Sequence, residues 1–184
     1  MKEVIILGGG FTKYECPYDK EVWSINGLYH GKDFVPDMVV QLHKPNSGKD
    51  SDLAFMKSLR TKFLVQAPMD GIDCVVYPLD EIIAHFNTKY FASSVCFSLA
   101  YAIYAGYEKI WLYGIDHTTG TCYVMQKACV EYWIGRAVER GIEVVIPKGS
   151  ALCKTMNGKL YGYDFVYDMN SKIPEQVMYS YASI

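Results

Sequence analysis

The sequence predicts an α/β domain with a mainly parallel sheet flanked by helices. Short apolar runs recur along the chain, and each has the length of one buried strand. Segments with helical spacing of apolar residues alternate with several of these runs, an order typical of a parallel sheet. The chain has 184 residues, of which 51% are hydrophobic, so it can bury the core of one such domain.

The predicted elements follow from these runs in chain order. The strands are predicted at residues 4–7, 22–25, 38–43, 62–65, 74–77, 109–113 and 143–147. The helices are predicted at residues 51–60, 79–86, 93–105 and 125–140. Ser51 or Asp52 would cap the first helix. The predicted buried stripe of the last helix consists of Val130, Ile134, Ala137 and Val138.

The segment 93–116 is predicted to be the centre of the domain, because one helix leads directly into one buried strand there. Ser93 and Ser94 stand at the helix start, where free N–H groups and the positive end of the helix dipole suit a phosphate. The strand ends in Gly114-Ile115-Asp116. Ligands of open α/β sheets bind just past the carboxyl ends of the strands. These two ends therefore form two walls of one predicted site.

Two further strand ends add polar groups to this site. Gly8, Gly9 and Gly10 follow the first strand and would let the backbone approach a ligand closely. The pattern is neither G-x-G-x-x-G nor a Walker loop, so a simple tight turn stays open as the alternative. Asn26 ends the second strand, where its amide could hold a base, ribose or phosphate. An ordinary Asn-Gly turn is the alternative.

Composition excludes several classes of protein. The net charge of -2 and the pI of about 6.1 provide no basic surface that would bind nucleic acid by charge alone. The cysteines, none of them in a CxxC pair, are predicted to be reduced thiols without a zinc site. The apolar stretch 95–105 is too short to span a bilayer, and the start is too short for a signal peptide. We therefore expect a cytoplasmic protein with no membrane partner.

The domain organisation is predicted to be simple. Residues 1–159 form one nucleotide-binding domain, and residues 160–184 form a tyrosine-rich C-terminal extension. Tyrosines combine a large apolar ring with a polar hydroxyl, a combination common at interfaces. The extension is therefore expected to pack on the domain or on a partner in a homo-oligomer.

Several blocks of the sequence resemble known families. LGGG, VWSINGLY, the serine pair before an apolar helix, and AGYEKIWLYGID resemble the small bacterial sialyltransferases. Those enzymes have a Rossmann-like fold and use CMP-sialic acid without a metal. The same blocks are similar to the 6-hydroxymethylpterin diphosphokinase-like family. A third resemblance, to small phage-encoded proteins of unassigned function, covers nearly the whole chain through blocks at 22–26, 41–43, 114–116, 123–135 and 141–147. A phage origin would place the protein in the host cytoplasm.

The resemblance to sialyltransferases implies roles for the predicted site residues. Gly8, Gly9 and Gly10 would face the nucleotide phosphates, and Asn26 would contact the nucleotide-sugar. Ser93 and Ser94 would hold the phosphate or the cytidine, while Gly114, Ile115 and Asp116 would contact the ribose or base. The chain departs from the family at Gly9, where sialyltransferases have asparagine. Residues 117–147 also leave no room for the inserted segment that carries the family's catalytic histidine.

The predicted function is nucleotide or nucleotide-sugar binding, with glycosyl transfer as the reaction and no required cofactor. His117 or His43 would take the proton of the acceptor hydroxyl. The groups that could neutralise the leaving phosphate are Tyr123, Gln126 and Lys127. For His43 the alternative is a solvated loop residue, and for the helix face it is a solvated Lys127–Glu131 pair.

Three other functions stay open. A Mg²⁺-dependent diphosphokinase-like enzyme would use Asp116 to hold the metal. A non-catalytic protein would bind and sequester a signalling nucleotide. Nucleic-acid binding, with modified DNA bases as the acceptor of a glycosyl transfer, is the weakest option because the net charge of -2 gives it no support. The acceptor is otherwise unknown.

Overall fold

A computed structural model describes residues 1–27, 34–48, 51–118, 121–155, 159–160 and 162–163, with the backbone alone for 121–124. Seven strands lie in this part of the chain: β1 (Glu3–Leu7), β2 (Glu21–Ile25), β3 (Met38–Val40), β4 (Lys62–Val65), β5 (Cys74–Val76), β6 (Lys109–Tyr113) and β7 (Glu143–Val145). They form one sheet in the order β5-β4-β3-β2-β1-β6-β7, and every neighbouring pair is parallel. The prediction of a parallel α/β sheet is confirmed.

The helices cover both faces of this sheet. They are α1 (Leu53–Ser58), α2 (Leu79–Phe86), α3 (Ser94–Tyr104) and α4 (Thr121–Glu139). Alternate residues of a strand point to opposite faces, so Val4 and Ile6 of β1 join the main core with α2, α3 and α4. Met56 of α1 packs on the opposite face, against Val39 and Phe63. Strands β3 and β4 therefore pack against helices on both faces of the sheet.

Several predicted boundaries shift by a few residues. β3 ends at Val40 rather than at residue 43, β5 and β7 end one and two residues early, and α1 ends at Ser58. Helix α4 begins at Thr121, four residues before its predicted start at residue 125. A 3₁₀ helix at Phe11–Glu15 was not predicted. Asp52 is the cap of α1, since its carboxylate accepts the Phe55 N–H at 2.7 Å.

One core prediction is wrong. Val138 is 58% exposed, whereas Val130, Ile134 and Ala137 are buried as predicted. Residues 130, 134 and 137 repeat at the spacing of one helix face. Residue 138 lies at the edge of that face, where its side chain is exposed. The stripe is therefore narrower than the sequence pattern indicated.

The remaining sequence predictions concern the termini, the thiols and the membrane. Apart from Leu160, Gly162 and Tyr163, the tyrosine-rich segment 160–184 lies outside the described residues. Among the described residues, no disulfide joins Cys16, Cys74, Cys96, Cys129 and Cys153. Across the described ranges, no helix has both the length and the apolar character needed to cross a bilayer.

Candidate functional site

A cavity of about 620 Å³ opens at the carboxyl ends of the strands. It lies where the strand order reverses, between β1 and β6, which is the point where open α/β sheets bind their ligands. The predicted site residues that line it are Gly8, Gly9, Gly10, Asn26, His43, Ser93, Ser94, Gly114, Ile115, Asp116, His117 and Gln126. The lining residues that were not predicted are Ile25, Ala92, Val95 and Thr118.

Two predicted residues are not placed in this cavity. The side chain of Tyr123 lies outside the described part of the structure. Lys127 does not belong to the lining, and its Nζ lies 3.7 Å from Glu131 Oε1. That carboxylate also accepts the Cys153 N–H at 2.7 Å. Glu131 of α4 therefore pairs with Lys127 and also holds the loop at Cys153.

The glycines are needed to join the ends of β1 and β6. Gly8 N–H donates to Tyr113 O and Gly10 N–H donates to Gly114 O, both at 2.7 Å. A Cβ at Gly8 would clash with the Gly114 carbonyl, and one at Gly10 would clash with the Asp116 carboxylate. Gly114 has a φ of +66°, a conformation that L side chains rarely adopt. The glycine loop thus closes the sheet junction and at the same time exposes backbone to the cavity.

Asp116 has a structural partner that the sequence did not reveal. Its side chain is 4% exposed, and one carboxylate oxygen accepts the Thr12 hydroxyl while the other accepts the Thr12 backbone N–H at 3.0 Å. The Thr12 oxygen in turn accepts the Gly114 N–H at 2.8 Å. The Asp116 carboxylate therefore fixes the glycine loop against β6. The position of Thr12 directly after the glycine loop could have indicated a role near the site. Its partner could not be predicted, because Asp116 lies more than 100 residues away in the chain.

The Asn26 side chain carries an unsatisfied acceptor at the cavity. Its backbone is left-handed, with a φ of +53°, and its N–H donates to Val40 O at 3.1 Å. Its Oδ1 is buried and has no hydrogen-bond partner among the described residues. A buried amide oxygen without a partner costs free energy, so it favours a bound group that donates a hydrogen bond.

The start of α3 presents free donors to the same cavity. Ser93 is extended, with a φ of -162°, and makes no side-chain cap for the helix. Its Oγ lies 3.3 Å from Cys96 Sγ instead. The Cys96 N–H donates to Ser93 O at 3.0 Å. The N–H groups of Ser94 and Val95 come before it and have no partner within the helix, and the Ser93 side chain does not cap them. They can therefore bind an anionic group.

Two histidines complete the lining. His43 Nδ1 lies 2.9 Å from Gln41 Oε1, and the same oxygen accepts the His43 backbone N–H at 3.2 Å. His117 directly follows Asp116 and has a left-handed backbone, with a φ of +48°. No lysine or arginine lines the cavity within the described ranges. The described lining thus consists of neutral donors and acceptors, the Asp116 carboxylate and two imidazole rings.

The fold and the site together define a Rossmann-like α/β protein with its cavity at the switch point of the sheet. The chain is similar to two structures of the sialyltransferase CstII from Campylobacter jejuni, one with the substrate analogue cytidine-5'-monophosphate and one with CMP-3FNeuAc. The identities are 19% and 18%, the TM-score is 0.51 for both, and each match covers 88% of this chain and 89% of the other. No family model and no curated protein matches the chain.

These likenesses concern the fold, which is sialyltransferase-like as the sequence blocks indicated. The resemblances to phage proteins and to the pterin diphosphokinase-like family stay predictions. In the described residues no cluster of three or more histidine, cysteine or acidic side chains could hold a metal ion.

Proposed function

We propose that the protein binds a nucleotide or nucleotide-sugar in the cavity between β1 and β6 and transfers the sugar to an acceptor hydroxyl. The observation that carries this proposal is the convergence of Asn26, the glycine loop and the start of α3 on one cavity of nucleotide size. The likeness in fold to a sialyltransferase with bound cytidine-5'-monophosphate adds support.

The charge of the lining favours a donor with one phosphate. Nucleoside diphosphates carry several negative charges, which proteins usually neutralise with a metal ion or with lysine and arginine. The described lining has neither lysine nor arginine. The N–H groups and serines at the start of α3 suffice for the single charge of a phosphodiester. Asn26 Oδ1 would accept a hydrogen bond from a hydroxyl of the nucleoside or sugar.

The proposed reaction is a direct displacement at the anomeric carbon. The bond from that carbon to the phosphate oxygen breaks, and a bond to the acceptor oxygen forms. The proton of the acceptor hydroxyl passes to an imidazole of the lining, His43 or His117. The electron pair of the broken bond stays on the nucleotide phosphate, which the α3 donors stabilise.

Two alternatives have unequal support. A diphosphokinase-like reaction would need Asp116 as a ligand of Mg²⁺, but Thr12 already hydrogen-bonds both oxygens of that carboxylate. A protein that binds a signalling nucleotide without turnover is the stronger alternative. It is favoured because α4 and β7 occupy most of the segment after Asp116, where sialyltransferases carry their inserted histidine segment.

Calorimetric titration with CMP, CMP-3FNeuAc, other nucleoside phosphates and cyclic dinucleotides tests the site. We expect Asn26→Ala and Ser94→Ala each to weaken binding of the tightest ligand by about 5- to 10-fold, which corresponds to the loss of one hydrogen bond of about 1–1.4 kcal/mol. Asn87→Ala is the matched control, because Asn87 is also left-handed, with a φ of 50°, but is exposed and outside the cavity. Unchanged affinity in both site variants would contradict the assignment.

Incubation with a CMP-sugar distinguishes a transferase from a protein that only binds the nucleotide. A transferase releases CMP and free sugar slowly from a CMP-sugar when water replaces the acceptor. A binder returns the ligand intact after prolonged incubation. Chromatography of the incubated ligand distinguishes these two results.

A further inference from the structure

We infer that His43 is the group that takes the acceptor proton, and that the buried Gln41 is the positioning residue that prepares it. The inference rests on the proposed function and deepens it, since sequence and fold left two histidines as equal candidates. It is carried by one geometric feature, the double contact of Gln41 Oε1 with the backbone and the ring of His43.

Gln41 is held rigidly at the end of β3. The ladder of β3 stops at Val40, but the Gln41 N–H still donates to Leu64 O at 2.9 Å. The residue is completely buried, which is unusual for a glutamine. From this fixed position its amide oxygen accepts the His43 N–H, so the chain turns out of the sheet and brings His43 to the cavity.

This contact determines which ring nitrogen of His43 carries the proton. A backbone N–H can only donate, so the side-chain atom of Gln41 that it reaches is the amide oxygen. The same oxygen lies 2.9 Å from Nδ1, and two acceptors cannot bond to each other. Nδ1 therefore carries the hydrogen, and the neutral ring has its free electron pair on Nε2. A ring oriented in this way is ready to take a proton at Nε2.

The position of His43 in the sheet agrees with this role. Ile25 of β2 pairs with Val40 of β3. Asn26 and Gln41 are the next residues along the two chains, so they follow the ends of these neighbouring strands. Since β3 lies next to β2 while His117 follows β6 on the other side of β1, His43 and Asn26 come from neighbouring strand ends of the cavity and His117 comes from the opposite one. A sugar that donates a hydrogen bond to Asn26 Oδ1 would bring its reacting carbon and the acceptor hydroxyl near His43.

Two measurements test the inference with the whole protein. The first is the release of CMP from CMP-sialic acid, with and without a panel of sugar acceptors. His43→Asn keeps a side-chain N–H that Gln41 Oε1 can accept but removes the basic nitrogen. We expect it to lower turnover by about 100-fold or more while CMP affinity changes less than twofold. His85→Asn is the control, because His85 is an exposed histidine of α2 outside the cavity.

The second measurement is ¹⁵N NMR of the imidazole rings, which distinguishes the two neutral tautomers without any turnover. The His43 signal, assigned by its absence from His43→Asn, should show the proton on Nδ1. Gln41→Met keeps the size but removes the acceptor, so the tautomer preference should disappear and kcat should fall with KM nearly unchanged. Gln41→Glu keeps an acceptor oxygen and should restore both.

The outcomes separate this inference from the proposed function. If the wild type turns over the donor and His43→Asn does so equally well, His43 is not the base, although the transferase proposal stands. If the wild type binds CMP but never cleaves the donor, the protein is a binder and His43 has no proton to take. A His43 ring with its proton on Nε2 overturns the role of Gln41. Failure to bind any ligand overturns the proposed function and this inference together.

Discussion

Replacing Thr12 by valine tests whether the glycine loop is held by the hydrogen bonds that reach it from β6. Valine has nearly the same shape, so the change removes the hydroxyl and little else. One oxygen of the buried Asp116 carboxylate then loses its donor, and the Gly114 N–H loses its acceptor. An unsatisfied buried group costs about 1–3 kcal/mol, and more when it is charged. The expected total loss is about 2–6 kcal/mol, which is a large part of the free energy of unfolding of a typical domain, about 5–15 kcal/mol.

Urea unfolding followed by circular dichroism measures this loss, and CMP titration shows whether the cavity survives. Thr12→Ser is the matched control, because it keeps the hydroxyl and removes one buried methyl, which costs about 1 kcal/mol. Asp116→Asn combined with Thr12→Val completes a double-mutant cycle. Equal unfolding free energies for Thr12→Val and Thr12→Ser would refute the reasoning, as would strict additivity in the cycle.

The remaining predictions concern backbone strain and alkaline pH. Gly114→Ala should prevent folding or cost more than about 3 kcal/mol, because its Cβ would meet the Gly8 carbonyl at a φ of +66°. Gly135→Ala in α4, where the added Cβ meets nothing within 4 Å, should stabilise the protein by about 0.5–1 kcal/mol. Burial raises the pKa of Tyr77 far above its ordinary value of 10.0, so the fold requires the neutral phenol. The contribution of Tyr77 to the unfolding free energy should therefore be constant below about pH 10 and be lost above it, so Tyr77→Phe should reduce the fall in stability above about pH 10; an identical pH profile in the variant would contradict this cause.

The fold could be predicted because its information is local. Each strand is a run of apolar residues, and β1 and β6 read as buried strands without any knowledge of their neighbours. The end of β3 could not be predicted in this way. Gln41, Leu42 and His43 look like a continued strand, but the Gln41 side chain accepts the His43 N–H and takes the chain out of the ladder. A hydrogen bond of this kind competes with a strand and leaves no periodicity in the sequence.

The positions of the site residues could be predicted better than the directions of their side chains. Parallel strands bring their carboxyl ends to one edge, so Gly8, Asn26 and Asp116 had to be neighbours once the sheet was parallel. Which partner each side chain takes depends on contacts between distant parts of the chain. Asp116 bonds to Thr12, and Lys127 pairs with Glu131 outside the cavity. On sequence grounds alone, Asp116 was a candidate contact for the ribose, the base or Mg²⁺, and Lys127 was a candidate contact for the leaving phosphate.

The blocks that carry the family resemblance therefore divide into two groups with different meaning. Gly8, Gly10, Gly114 and Asp116 are required to close the junction of β1 and β6, and the fold alone would preserve them whatever the cavity binds. Asn26 leaves an amide oxygen unsatisfied within the described residues, and Ser93 does not cap its own helix. An unpaired acceptor at Asn26 lowers the stability of the free protein and agrees with the proposed ligand, while the left-handed backbone of Asn26 gives the fold its own reason for asparagine. Differences in activity among proteins of this fold should therefore correlate with changes at Asn26 and at the start of α3, rather than with changes in the glycine loop.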